Sequence, residues 1–365
     1  YCPEAVDSNY IMVTSINLNK PDEQAKVTAT LGAAGNIYCS TDNLYVAGYN
    51  YGSGDSEQGK TVIYKFSLKD GEVTYKSSGK VSGGILNQFS MDESNGYFRV
   101  ATTEQNYTKG NSSQLNNLFI LDSDMKLSGS LENLAQGEKI YSVRFMGDRA
   151  YMVTYRTTDP LFVIDLKSPS APKVLGELKI PGYSNYLHPY DENHIIGFGK
   201  DAEVVGEGTS TERAYYQGMK LAMFDVTDVN NPKLMFKTGI GDRGTDSQLL
   251  YDHKALLFSK EKNLLAFPVR VAEIADKSTV NKAAYGETTF IGAYVYNIDL
   301  QSGFTLKGKI THAEAGGDIQ DNAKEIPYDF SIQRILYIDN NLYTVSDKNI
   351  KANSIKDLAE IGSLK

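Results

Sequence analysis

The sequence predicts an all-β fold in which one four-strand unit recurs from end to end. Three observations carry that expectation. Within 139–200, Ile140, Ser142, Arg144 and Met146 alternate with Tyr141, Val143 and Phe145, the period of two that marks a strand. Short polar turns recur at Thr41-Asp42-Asn43, Ser94-Asn95-Gly96, Gly147-Asp148-Arg149, Glu192-Asn193, Glu261-Lys262-Asn263 and Asn340-Asn341, each followed by an apolar strand. The 25 tyrosines suit half-exposed strand positions, and the 32 glycines and 10 prolines are spread through turns rather than gathered in a linker. A four-strand antiparallel meander has two faces and cannot bury both alone. Copies stacked face to face around an axis solve that problem, so the expected fold class is an all-β β-propeller of four-stranded blades.

The clearest copy sets the order of elements. A first strand at 140–146 turns at Gly147-Asp148-Arg149 into a second at 151–155, a looser connection leads to a third at 161–166, and a Ser/Pro turn leads to a fourth at 174–180. Nine-residue turns that open on Asp and end in Pro-Lys, at 165–173 and 225–233, are near copies of one another. The same template places six complete blades at 36–82, 85–134, 139–180, 184–240, 249–311 and 330–364, and an N-terminal half-blade at 10–31 with no inner strands. The whole chain, 1–365, is expected to form one domain. Half a blade at the start, and a first residue that is Tyr1 rather than methionine, suggest a portion of a seven- or eight-bladed ring with further strands upstream. Long connections at 49–60, 200–218 and 271–289 all join second to third strands. They should therefore emerge on one face, where propellers bind their partners.

The stretches ILNQFSMDESNGYFRVATT, IYSVRFMGDRAYMVTYRTTDPLFVIDLKSPSAPKVLGELKIPGYSNYLHPYDENHIIGFG and LLYDHKALLFSKEKNLLAFPV resemble the secreted bacterial and archaeal family of C-terminal β-propeller domains, distantly related to WD40 repeats. The resemblance runs from about residue 10 to 364. It implies an extracellular or envelope-attached propeller with no catalytic residues to carry over.

A net charge of -8 without a basic stripe disfavours nucleic acid and acidic membrane surfaces as partners. No apolar run is long enough to span a bilayer. Two cysteines, Cys2 and Cys39, are too few for a disulfide scaffold; they read as isolated thiols or as one bridge securing the N-terminus.

Several motifs match a pattern without its context. Gly54-Asp55-Ser56-Glu57-Gln58-Gly59-Lys60-Thr61 spells a phosphate-binding loop, but a strand pattern follows where a helix is required, and two acids would sit in the cradle. Ser259-Lys260-Glu261-Lys262 and Lys237-Thr238-Gly239 mimic penicillin-binding enzymes in the wrong order. The sequons at Asn106 and Asn111 read as coincidences. With no tryptophan to stack on a cofactor, quinone-dependent dehydrogenase chemistry is disfavoured.

The inner strands are unusually polar. Gln88, Asp92, Arg144, Asn185, His188, Asp252, His253 and Arg334 are the candidates for a channel mouth, read either as satisfied walls of a watery channel or as a ligand site. His188 and His253 take comparable inner-strand places, in Tyr-Leu-His-Pro and Tyr-Asp-His-Lys, while His194 and His312 complete the four histidines with no metal-ligand spacing. No cofactor is expected. If an ion binds, the oxygen-rich 241–246 loop, with Asp242 and Asp246, favours Ca2+. The expected function is a secreted or cell-envelope binding or scaffolding module for a protein or polysaccharide. The alternative is a glycosidase-like hydrolase using carboxylates at the channel.

Overall fold

A computed structural model of the chain describes residues 10–31, 35–51, 59–108, 111–155, 158–206, 213–277, 282–313 and 328–365. Every regular element among them is a strand, apart from four single 3₁₀ turns. β1 (Tyr10–Ser15) and β2 (Lys26–Leu31) form a hairpin. Six four-stranded sheets follow. The first holds β3 (Asn36–Cys39), β4 (Asn43–Asn50), β5 (Lys60–Lys69) and β6 (Glu72–Ser82). The second holds β7 (Met91–Ser94), β8 (Tyr97–Thr108), β9 (Asn111–Leu121) and β10 (Leu127–Leu134). β11 (Lys139–Met146), β12 (Arg149–Tyr155), β13 (Thr158–Asp165) and β14 (Lys173–Pro181) make the third, and β15 (Tyr183–Asp191), β16 (His194–Val205), β17 (Arg213–Asp225) and β18 (Lys233–Ile240) the fourth. The fifth holds β19 (Leu257–Ser259), β20 (Leu264–Glu273), β21 (Glu287–Asp299) and β22 (Gly303–Ile310). The sixth holds β23 (Arg334–Ile338), β24 (Asn341–Val345), β25 (Ile350–Ser354) and β26 (Glu360–Leu364). Strands within each sheet neighbour one another in chain order, the expected meander. The six blades and the half-blade thus fall where the repeat put them. Among the described residues β1 and β2 pair only with each other, and β26 pairs only with β25.

The chain groups into two compact units, Tyr1–Arg156 with Leu161–Glu177, and Thr157–Pro160 with Leu178–Lys365. In the first unit alternation places successive residues of one strand in different cores. Tyr45 and Ala47 of β4 pack with Ile63, Phe98, Val100, Phe119 and Leu121, whereas Leu44 and Val46 pack with Val62, Tyr64 and Phe66 against Ile11 and Val13 of the half-blade. β9 divides likewise: Phe119 and Leu121 face the first sheet, while Leu118 and Ile120 join Val143, Met152 and Ile164 of the third. In the second unit Leu264, Ala266, Ala293 and Val295 pack against Ile332, Ile335 and Leu342.

Two backbone devices repeat with the blades. The amide at the end of the third strand donates to a carbonyl of the first turn: Leu68 to Asp42 (2.7 Å), Leu166 to Asp148 (2.8 Å), Val226 to Asn193 (2.8 Å), Ile298 to Asn263 (2.9 Å) and Ile355 to Asn340 (2.9 Å). An aspartate at that same place closes the next turn. Asp122 Oδ1 accepts the Lys126 amide at 2.9 Å, Asp165 Oδ1 that of Lys167 at 3.0 Å, Asp225 Oδ1 that of Thr227 at 2.8 Å and Asp299 Oδ1 that of Gln301 at 2.7 Å. The two turn copies seen at 165–173 and 225–233 are instances of this.

Of the expected long connections, 200–218 is largely strand among its described residues, and 271–289 begins and ends as strand. β16 and β17 stay paired to Val205↔Arg213, and β20 and β21 to Glu273↔Glu287. β8 and β9 likewise run on to Thr108↔Asn111, past the strand end expected at 102. In the sequence these extensions carry no sustained apolar alternation, so nothing announces them. Of the phosphate-loop mimic, residues 52–58 lie outside the described residues. Lys60 and Thr61 open β5, and the Thr61 hydroxyl donates to the Gly83 carbonyl at 2.6 Å.

Phe98 is 1% exposed and stacks on Tyr45 with ring centroids 4.2 Å apart. Phe98→Ala should cost about 3–5 kcal/mol, whereas Leu127→Ala, at a residue 60% exposed, should change stability by no more than about 0.5 kcal/mol. Denaturant midpoints of the two variants check this.

Candidate functional site

In the first unit the expected channel residues are held by their neighbours. Gln88 lies on a 3₁₀ turn, Gln88–Ser90, rather than on a strand. Asn87 Oδ1 accepts the Phe89 amide at 3.0 Å, and this local bond diverts the backbone from a ladder. Arg144, on β11, spreads its guanidinium over the Phe89 ring at 5.1 Å. Asp92, on β7, accepts Arg99 Nε at 2.9 Å and, on the same oxygen, Arg99 Nη2; Arg99 is buried and gives Nη1 to the Gly147 carbonyl at 2.7 Å. Burial lifts the Asp92 carboxyl above the usual range, with Arg99 pulling the other way. Glu93, which sequence reasoning missed, accepts the Ser40 hydroxyl at 2.6 Å and the Asn43 amide at 2.7 Å, tying two sheets together.

In the second unit Asn185 and His188 lie on β15, as expected. The Tyr186 hydroxyl and His188 Nδ1 are 3.1 Å apart, and the His188 ring meets Phe258 edge-on at 4.9 Å. Asn185 Oδ1 is buried with no hydrogen-bond partner among the described residues. The inner-strand place expected for His253 is corrected: it opens a 3₁₀ turn, His253–Ala255, which Asp252 caps by accepting the Lys254 amide at 3.0 Å. The other Asp252 oxygen accepts Arg334 Nη2 at 2.7 Å. Partial burial opposes ionisation of Asp252, but the Lys254 amide and Arg334 hold it below the usual carboxylate range. The rings of Tyr186 and His253 stand 6.1 Å apart, so this unit brings His188, His253, Asp252 and Arg334 into one neighbourhood.

The calcium candidates hold lysines. Asp242 accepts Lys277 Nζ at 2.8 Å and the Ile274 amide at 2.9 Å, and Asp246 accepts Lys200 Nζ at 2.8 Å. Among the described residues no three His, Cys, Asp or Glu side chains gather into a metal-binding group. Cys39 is exposed and unbridged, and Cys2 lies outside the described residues.

The 241–246 loop nonetheless builds a distinct surface. Gly241 has φ +59, and a side chain there would meet Thr245 Oγ1 at 2.1 Å. That hydroxyl donates to the Ala272 carbonyl at 3.1 Å and accepts the Ala272 amide at 2.9 Å. Asp246 and Arg270 exchange backbone bonds, both 2.8 Å. Two exposed tyrosines flank the loop. Tyr285, 69% exposed, lies under Arg243 at 4.5 Å and receives its Nη2 at 3.3 Å. Tyr251, 77% exposed, donates to Asp246 Oδ2 at 3.3 Å. The β16–β17 ribbon adds Tyr216, edge-on to Tyr183 at 5.2 Å. Sequence reasoning flagged the loop for its oxygens and missed the tyrosines. Tyr285 carried a signal in its place within a long connection; Tyr251 carried none, because it stood in the stretch expected to be an inner strand.

Two further clusters complete the described ionisable groups of note. Burial would raise Asp191, but Lys260 (2.9 Å), His194 (2.7 Å) and the Asn193 amide bring it down to about 2. His312 is 2% exposed, with the Ser346 and Thr344 hydroxyls each 2.8 Å from a ring nitrogen.

Repeated two-faced, four-stranded antiparallel sheets define the class as a β-propeller. The family described as the β-propeller domain matches residues 1–358, and the chain belongs to it. It is 43% identical over 250 residues to an uncharacterized protein of Methanocaldococcus jannaschii, covering 66% of this chain and 37% of that protein. It is 31% identical over 306 residues to an uncharacterized protein of Archaeoglobus fulgidus, covering 84% of this chain and 39% of that one. The chain therefore spans about two fifths of the length of the curated relatives it matches. Among solved structures, the WD40 domain of Neurospora crassa Pan2 aligns at 8% identity with a TM-score of 0.40, over 88% of this chain and 75% of that one.

Burial lowers the His312 pKa to about 4, against about 6.5 for a free histidine. The unfolded chain therefore binds the proton first. Stability should hold above pH 6.5 and fall from there toward pH 4, by on the order of 3 kcal/mol from this group. His312→Gln should flatten that limb, which thermal melts of both proteins across pH 4–7 will read.

Proposed function

We propose that this chain is a binding module of an extracellular or envelope-associated protein, and that its second unit meets its ligand on the 241–246 loop and the ribbons beside it. The observation that carries the reading is the pair of exposed tyrosines, Tyr251 and Tyr285, fixed on either side of a loop that is itself pinned to β20. An exposed aromatic normally costs apolar hydration and gains nothing in the fold; held rigidly beside a second one, it offers a partner a large contact at little ordering cost. The resemblance to secreted propellers supports the location.

The hydrolase alternative needs ionised carboxylates facing a cleft. Asp92, Asp246 and Asp252 are instead engaged by Arg99, Lys200 and Arg334, and Arg144 lies over Phe89. These pairs favour the binding reading over it. The lysines on Asp242 and Asp246 likewise occupy the places a calcium ion would need.

The test is co-sedimentation of the purified chain with an archaeal envelope fraction. The wild type should pellet with it, and the Tyr251→Ala/Tyr285→Ala double variant should do so at least ~10-fold more weakly with its thermal midpoint unchanged. Equal pelleting of the two proteins, or none by the wild type, would contradict the proposal.

A further inference from the structure

We infer that the ligand of this surface is a neutral carbohydrate, an inference that rests on the binding reading above. Three features of the second unit converge on that chemistry. The first is charge. All three charged side chains of the loop are already engaged: Asp242 by Lys277, Arg243 by the ring and hydroxyl of Tyr285, and Asp246 by Lys200 and Tyr251. Alongside, Lys237 pairs with Asp201 at 2.8 Å and Lys282 with Glu203. A cationic ligand would have to draw Lys277 or Lys200 off its carboxylate, and an anionic one would find in the loop only Arg243, already spread over the Tyr285 ring. A neutral ligand breaks nothing.

The second feature is the kind of contact on offer. A pyranose ring has an apolar C–H face and a rim of hydroxyls. Tyrosine matches both halves, with a flat apolar body and a polar tip. Here the tips of Tyr251 and Tyr285 are bonded to Asp246 and Arg243, so their rings are oriented before a ligand arrives. The carboxylate and guanidinium that hold them have spare lone pairs and N–H groups for sugar hydroxyls.

The third is shape. A protein partner would need a contiguous apolar core within an interface of about 1,000 Å² or more. The two tyrosines are instead separated by a polar, glycine-containing loop, in which Gly244 sits within 3.5 Å of Tyr285 Cδ1 once a β-carbon is placed on it. Two rings held by different residues of one loop suit successive units of a chain molecule rather than a single hydrophobic anchor.

The chain contains no tryptophan, so its emission comes from its 25 tyrosines, and the tyrosine variants locate any change at the site. The experiment titrates the purified chain with cellohexaose, maltohexaose and mannohexaose, and with the anionic hexamer of galacturonate and the cationic hexamer of glucosamine. Calorimetry runs in parallel. At least one neutral hexaose should bind with a Kd between about 0.1 and 10 mM and change the tyrosine emission. Tyr285→Ala and Tyr251→Ala should each weaken it at least ~10-fold, and Tyr251→Phe should lose less than Tyr251→Ala. Thermal melts establish that each variant is folded. Binding of no neutral hexaose at about 10 mM, tighter binding of either charged hexamer, or titrations unmoved by the tyrosine variants would overturn the inference. If the neutral sugars fail while the double variant still loses the envelope fraction, the ligand class falls and the surface stands. If both fail, the surface falls with it.

Discussion

Tyr45 and Val46 are neighbours in the chain and belong to different hydrophobic cores. That is the constraint on which the fold depends. A four-stranded sheet exposes two faces of side chains, and in β4, β5, β12, β16, β17, β20 and β21 consecutive residues are buried, so neither face is left to water there. Each sheet is therefore stable only with a neighbour on each side. The repeat and the recurrence of the same turn-to-strand amide bond follow from stacking like on like. A blade that drifted in register by one residue would exchange its two cores, and the larger residues of one would be forced into the space of the other.

This is also why so much of the fold was legible in the sequence. Burial on both faces writes itself as unbroken apolar runs such as Ala150 to Val153, and the closing aspartates at Asp165 and Asp225 mark where each third strand stops. What stayed hidden lacks that pressure. The ribbons beyond Lys200 and Val271 carry no sustained apolar alternation, although Ala202 and Ala272 are buried in them. The 3₁₀ turns that displace Gln88 and His253 from strands depend on single side-chain bonds from Asn87 and Asp252, residues that fit equally well in a loop or a polar strand.

The site was less legible for a related reason. Polar inner-strand positions attract notice because they interrupt an apolar pattern, yet Asp92, Arg144, Asp252 and Arg334 are engaged with neighbours in their own units. Tyr251 and Tyr285 interrupt nothing: Tyr285 lies in a connection where any residue type is admissible, and an aromatic at Tyr251 fits the inner strand expected there. The clamp of Thr245 on Ala272, the bridge from Asp246 to Arg270 and the Gly286 amide on the Arg243 carbonyl turn those connections into a fixed surface. The blades supply the rigidity, and irregular segments pinned to them supply the contact.

Native-state hydrogen exchange tests that division of labour most directly. The amides of Asp246 and Arg270 should exchange as slowly as those of the central strands, such as Phe267, while amides of the β16–β17 ribbon, such as Val204, exchange faster through local opening. Asp246 and Arg270 amides that exchanged as fast as the ribbon would mean that the loop is not held, and that the surface carrying the proposed ligand is not preformed.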